Sequence, residues 1–327
     1  MIKYNHFLIF SQKGNSRYST RNSTRKNGPK VFQLLDRQYK QKVPFIYNLQ
    51  DVFPDSLVTA GLTKKDSSLW KIGRKIEDYT YRSADKIIVI SEDFKRNVME
   101  KGVPEEKIVI IPNWVNTENV YPIARQDNLL FDRYGLDRDK FYVCYSGNIG
   151  HSQNMRMLLD VAKELKEEIP DLRFVLIGEG AAAEEVAEII RTEAIDTVTM
   201  LPFQPYEEIA HVFSLGDVGL IISKPGIGNS SVPSKTYSIM AAERPVLASF
   251  DEGSALSAFI EEVGCGVTAQ AGDAEAFKAA IHRLYDECDR NTTMGRKGRE
   301  YLKKELDKDV CVGMYVDVIK RTAEDAV

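Results

Sequence analysis

The sequence predicts an α/β protein with parallel sheets in two domains, and three observations carry that expectation. Short apolar runs alternate with amphipathic stretches along most of the chain, as in βα units whose helices cover both faces of a sheet. Several of those runs end in glycine or polar turns, among them Gly147-Asn148-Ile149-Gly150 and Gly178-Glu179-Gly180, where an open parallel sheet places its ligands. The length of 327 residues exceeds what one domain usually holds.

Composition narrows the function classes. A formal net charge of -4 argues against a general nucleic-acid binder, and 43% hydrophobic residues supply material for proper cores. Cys144, Cys265, Cys288 and Cys311 are scattered without a CxxC pair and read as reduced cytosolic thiols. The histidines show no HExxH spacing, so no metal is expected. No apolar run approaches a membrane span, and Phe7-Leu8-Ile9-Phe10 is too short for a leader's apolar region.

Residues 1–30 read as a disordered or aberrant N-terminus, because Ser11 to Lys30 is almost free of apolar side chains; the alternative is a basic arm attracted to anionic lipid. Order is expected from Pro29 on, with Val31, Leu34, Leu35 and Tyr39 marking a helix face. Pro44 to Leu49 is a buried strand that runs into the polar loop Gln50-Asp51-Val52-Phe53-Pro54-Asp55-Ser56. Asp51 at this strand end is a candidate site residue, or else a loop carboxylate capping the next helix. Trp70 to Arg82 is an amphipathic helix, and Lys86 to Ser91 is a central strand by its continuous apolar run. Ser91 caps a helix that packs Phe94 and Val98 and ends at Gly102, and Ile108 to Ile111 forms the next strand. Tyr121 to Asp139 is polar and aperiodic and reads as a linker, with a short helix at Leu129–Tyr134.

The second half alternates cleanly. Strands are expected at 141–146, 173–177, 198–201, 218–222, 246–248 and 266–269, separated by helices, and two final helices have no strand after them. Between two of these strands, Pro233 starts a helix that runs to about Ala242 and puts Ser234 and Lys235 in its first turn, where outward backbone N–H groups favour an anion. Arg244-Pro245 ends that helix. A serine and a lysine there suit a phosphate-bearing ligand; the alternative is an ordinary crossover with a surface lysine. Lys224, in the turn after the strand at 218–222, is equally a phosphate ligand or a solvated lysine. There is no GxGxxG after the first strand and no Walker A lysine.

These stretches carry a resemblance. Tyr145-Ser146-Gly147-Asn148-Ile149-Gly150, Phe174 to Gly180, Leu201 to Glu208, Pro233-Ser234-Lys235, Ala241 to Val246 and Met294 to Arg299, with Ser91-Glu92, Gly102 to Ile108 and Ile111-Pro112-Asn113, resemble glycosyltransferase family 4, over about residues 31 to 321. The likeness is strongest to the branch that builds bacterial surface polysaccharides of the colanic-acid and O-antigen type. It implies a GT-B fold, two Rossmann-like domains with parallel sheets, here with the N-terminal domain incomplete because the family's first strand and glycine-rich acceptor loop are not visible. The implied boundaries are 31–125 for a partial acceptor domain, 126–140 for a linker, 141–305 for a nucleotide-sugar donor domain and 306–327 for a C-terminal helix packing back toward the N-terminal domain.

The resemblance further implies a retaining transfer from a UDP- or GDP-linked sugar to a lipid-linked saccharide, without cofactor or metal. The implied location is cytoplasmic, extending to the inner face of the plasma membrane through peripheral association. Carried over, Gly147 and Asn148 meet the donor diphosphate, Gly178 and Glu179 lie near the nucleoside, and Phe203 and Gln204 flank the base. Ser234 and Lys235 take the diphosphate, with Lys235 as its main charge, and Asp51 serves catalysis on the acceptor side. Ser238 stands where many members hold the ribose with glutamate, Asn148 and Gln153 where many carry Arg and Lys, Gln50 where a histidine is frequent, and Glu243 where glycine is usual. Two other readings remain at this point: a non-catalytic remnant or partner subunit that retains donor binding, and a sugar-nucleotide epimerase of the same architecture.

Overall fold

The structure is a computed structural model that describes residues 6–9, 44–59, 63–226 and 233–325. The expected helix face at Val31, Leu34, Leu35 and Tyr39, the polar stretch from Ser11 to Lys30 and the residues from Ile227 to Val232 lie outside the described residues. Two compact units are present: the first takes the described residues up to Asn113 and those from Cys311 onward, the second runs from Trp114 to Val310.

In the first unit, β1 (His6–Ile9), β2 (Phe45–Leu49), β3 (Lys86–Val89) and β4 (Ile108–Ile110) form one sheet in that order. β2, β3 and β4 are parallel, whereas β1 runs antiparallel to β2 with His6 opposite Asn48. One expectation is corrected here. Residues 1–30 are not structureless throughout, because an apolar run too short for a leader is long enough to cover the edge of β2 with backbone hydrogen bonds. The expected parallel sheet stands in β2–β3–β4, and β1 adds an antiparallel strand at its edge.

Helices α1 (Asp55–Thr59), α2 (Ser68–Ser83) and α3 (Glu92–Glu100) belong to this unit. The Ser67 and Ser91 hydroxyls accept the N–H groups of Trp70 and Phe94, at 3.2 and 3.3 Å, which starts α2 and α3 by capping. The two-residue period of strands divides the core. Phe45, Tyr47, Leu49, Ile87 and Val89 pack with Tyr81, Phe94 and Val98, while Ile46 and Ile88 point to the opposite face.

The second unit carries α4 (Leu129–Tyr134), β5 (Phe141–Ser146), α5 (Met155–Glu168), β6 (Leu172–Ile177), α6 (Ala183–Thr192), β7 (Val198–Leu201) and α7 (Ile209–Phe213). It continues with β8 (Val218–Ile222), α8 (Lys235–Ala241), β9 (Val246–Phe250), α9 (Ala255–Val263), β10 (Gly266–Gln270), α10 (Ala274–Asp286) and α11 (Cys288–Tyr301). The six strands lie parallel in the order β10-β9-β8-β5-β6-β7. The chain thus winds from β5 to β7 in one direction and from β8 to β10 in the other.

Residues 126–140, expected as a linker, are packed into the second unit. Leu130 and Phe131 of α4 are buried against Tyr142, Cys144 and Val175. Asn128 caps α4 through Leu130 N–H at 3.1 Å, and Arg125 donates to the carbonyls of Arg138 and Lys140 and pairs with Asp217. With Val212 of α7 and Leu215, α4 covers this face of β5 and β6.

The last helix, α12 (Lys308–Glu324), contributes to the first unit from Cys311 on. Cys311 packs with Ile46, Ile88 and Ile111, and the Tyr315 hydroxyl lies 3.2 Å from Asn48 Oδ1.

Candidate functional site

The reversal of winding between β5 and β8 leaves a crevice at their C-terminal ends, the place where open α/β sheets receive ligands. Three groups converge there from two separate parts of the second unit. Tyr145 is the fifth residue of β5, Gly147 follows the strand, and Lys235 is the first residue of α8, which the chain reaches after β8. Lys235 Nζ sits 3.8 Å from the centroid of the Tyr145 ring. Gly147 has a φ of +138°, which favours glycine, and a Cβ there would come within 2.9 Å of the same nitrogen and push the lysine aside.

The electrostatics of Lys235 are unusual. Burial lowers its pKa from the usual 10.5 to about 7. Among the described residues no carboxylate pairs with it, and it rests on the ring face of Tyr145. Burial also raises the Tyr145 phenol, whose O–H donates to the Asn148 carbonyl at 2.6 Å and so ties the loop after β5 to the ring under the lysine. A desolvated cation without a counter-ion, beside exposed backbone, is suited to an anion that brings its own charge.

Two glycine turns build the wall next to it. Gly147 N–H donates to Ile177 O at 2.9 Å, and Ile149 N–H to Glu179 O at 2.8 Å. The loops are pressed backbone to backbone: a Cβ on Gly178, where φ is +145°, would lie 2.0 Å from Gly147 O. The side chains of Asn148 and Glu179 are exposed at this rim, as is His151. The β8 turn joins the wall through Lys224 N–H, which donates to Ser152 O at 2.8 Å, and the Lys224 side chain is exposed.

The remaining expected residues divide. Pro233 precedes the cap rather than opening the helix; Ser234 occupies the N-cap position and makes no side-chain capping bond, and its side chain is exposed. Ser238 is half-buried one turn on. Phe203 is exposed beyond β7, but Gln204 is buried and its amide is bound internally, donating to the Pro202 carbonyl at 2.6 Å and the Tyr134 hydroxyl at 2.9 Å. Its side chain is thus part of the scaffold. Asp51 lies in the first unit, half-buried on the bend after β2, where Gln50 Nε2 donates to Asn48 Oδ1 at 2.9 Å.

Sequence reasoning missed several residues. Tyr145 is hidden in an apolar strand, and only its polar tip distinguished it. Ser223 Oγ, Thr236 Oγ1 and Ser249 Oγ are buried with no hydrogen-bond partner among the described residues. The arginines of two motifs are internal braces: Arg244 donates to the carbonyls of Ile123 and Ser214 at 3.2 and 3.1 Å, and Arg299 donates to Ala241 O at the end of α8. Glu243, where glycine is usual, has a positive φ of 58°.

The family description "Glycosyl transferases group 1" matches residues 126–301, and "Glycosyltransferase Family 4" matches residues 28–119. A Pseudomonas aeruginosa protein named as the glycosyltransferase WbjE is 30% identical over 257 residues, which cover 79% of this chain and 62% of that protein. The Escherichia coli protein WcaI, named as a colanic acid biosynthesis glycosyl transferase, is 24% identical over 279 residues, covering 84% of this chain and 67% of the relative. The chain thus spans about three fifths of the Pseudomonas relative's own length. Among solved structures, Anabaena HepE in complex with UDP superimposes with a TM-score of 0.73 at 15% identity, over 89% of this chain and 76% of that one, a likeness of fold.

Proposed function

The chain belongs to the glycosyl transferases group 1, and from that premise we propose that it transfers a sugar, with retention of anomeric configuration, from a UDP- or GDP-linked donor to a lipid-linked saccharide of a surface polysaccharide. The observation that carries the reading is Lys235: a desolvated ammonium without a carboxylate partner, held on the Tyr145 ring and against Gly147 at the switch point of the donor-side sheet.

The chemistry asks for such a group. As the bond from the anomeric carbon to the diphosphate breaks, negative charge grows on the leaving oxygens, and a fixed cation in a dry site stabilises that charge more than the ground state's. Lys235 supplies this charge. The diphosphate restores its full protonation, since an adjacent anion raises the pKa that burial has lowered. The backbone at Gly147, with Asn148 and Ser234, lines the phosphates; Gly178 and Glu179 stand toward the nucleoside, and Phe203 with the backbone at Gln204 toward the base. Ser238 is the short hydroxyl at the ribose, and Asp51 is the carboxylate of the acceptor side. No metal or cofactor enters this scheme. Work on a lipid-linked acceptor puts the protein in the cytoplasm at the inner face of the plasma membrane.

Thermal unfolding with UDP and with GDP tests the donor site, since a ligand bound only by the native state raises stability by mass action. Sugar transfer to a lipid-linked acceptor, followed by mass spectrometry, tests the reaction. The expected result is stabilisation by one nucleotide and a product heavier by one sugar, both lost in Lys235→Ala. Stabilisation without transfer to any such acceptor would leave a donor-binding subunit and refute the enzyme; no stabilisation by either nucleotide would refute the site.

A further inference from the structure

Helix α2 commits only one face to the first unit. Gly73, Glu77, Thr80 and Tyr81 are buried. On another face stand Leu69, Ile72, Ile76 and Tyr79, whose spacing of three and four residues places them in one stripe. They are 55%, 58%, 42% and 46% exposed. Single surface hydrophobes need no explanation, but four large ones in a continuous stripe mark a contact surface.

Beside this stripe runs a basic band. At 100° per residue Lys71, Lys75 and Arg82 fall together next to the stripe, on the flank away from the buried face, and all three are exposed. Lys64 and Lys65 are exposed in the turn before the helix. The acidic residues of α2 are already engaged: Arg74 pairs with Glu77 and Asp78, and Lys101 pairs with Glu77. Lys71 and Lys75 have no carboxylate partner among the described residues. The outward charge of this helix is therefore positive, on a chain whose net charge is -4.

We propose that α2 is a membrane-docking helix that lies in the plane of an anionic bilayer, its apolar stripe at the headgroup–acyl boundary and its basic band on the lipid phosphates. An apolar stripe with lysines along its edge is the pattern that holds a helix on such a surface. Charge complementarity selects the bilayer, because the lysines call for anions arrayed along the edge of an apolar layer. The inference deepens the proposed function and rests on it for its purpose, since a lipid-linked acceptor is presented in that surface; the docking itself is separable from catalysis. Among the described residues no helix is long and apolar enough to cross a membrane, so this contact is peripheral.

Flotation of the full chain with vesicles tests it, using phosphatidylcholine alone and phosphatidylcholine with a third phosphatidylglycerol. The chain should float with the anionic vesicles, and less so as salt rises. Lys71→Gln and Lys75→Gln should each weaken partition roughly fivefold, and Ile72→Glu should abolish it. All three positions are exposed, so their thermal unfolding should match the parent. Failure to float, flotation indifferent to these changes, or a dimer in solution that Ile72→Glu dissociates would overturn the proposal. Transfer to a detergent-dispersed acceptor separates the two readings: transfer without flotation overturns docking and leaves the enzyme, while flotation without transfer supports docking and overturns the enzyme.

Discussion

Replacing Lys235 by methionine should make the free protein more stable and unable to respond to a nucleotide. Methionine keeps much of the apolar stem on the Tyr145 ring and removes the charge. The drop in pKa from 10.5 to about 7 is worth about 5 kcal/mol at full value, and the partial solvent contact of a half-buried chain leaves roughly 2 kcal/mol of it. Between pH 7 and 10.5 the unfolded state holds a proton that the native state has released, so this lysine's contribution to stability rises with pH across that window and is lost as pH falls through 7. In Lys235→Met that slope should vanish. At neutral pH the variant should melt higher by roughly 5 °C, from about 2–4 °C per kcal/mol for a domain of this size. The assay is thermal unfolding from pH 6.5 to 9.5 (about the span of the titration), with and without UDP or GDP. Identical pH slopes in parent and variant, or an undiminished shift with nucleotide in the variant, would refute the assignment of Lys235 as a buried, anion-seeking cation.

Further outcomes follow from geometry. Gly178→Ala should destabilise by about 3 kcal/mol or more and weaken nucleotide binding, because its Cβ would lie 2.0 Å from Gly147 O; urea unfolding and calorimetric titration check both. Glu243→Gly should stabilise by about 0.5–1 kcal/mol, relieving a positive φ of 58°, read as a higher urea midpoint with unchanged slope. Glu77→Ala should cost about 3–5 kcal/mol, since it strips Arg74, Lys101 and the Tyr81 hydroxyl of a buried partner; calorimetry should show the loss in the first unit's transition, with nucleotide stabilisation retained.

The parts of this molecule that announce themselves in sequence are those with a local period or a local cap. Ser91 before an amphipathic run, the continuous apolar strands and the helix at Leu129–Tyr134 were legible for that reason. Features made by distant partners were not. Lys101 meets Asp55 and Glu77 across 46 and 24 residues, and no window of sequence contains that network. The same holds for Lys235 on Tyr145, which joins the start of a helix to the end of a distant strand and turns an apparent surface lysine into a half-buried one. Gln204 misleads in the opposite direction: its strand-end position suggests a ligand contact, while Tyr134 on α4 and the Pro202 carbonyl take up its amide. The short strand His6–Ile9 escaped because pairing with an existing edge demands little of composition.

The contact between the turns at Gly147 and Gly178 has a consequence for how this site could change over generations. Its shape comes from a ladder of main-chain bonds and from the absent carbons of Gly178 and Gly180, where a Cβ would meet the backbone of Gly147 and Ile149, while the side chains of Asn148 and Glu179 are exposed at the rim. Frame and rim are thereby inherited separately. The outward pair can change without disturbing this backbone contact, whereas a side chain at Gly178 would force the two turns apart. A lineage with this loop should vary at the rim and leave the glycine frame untouched.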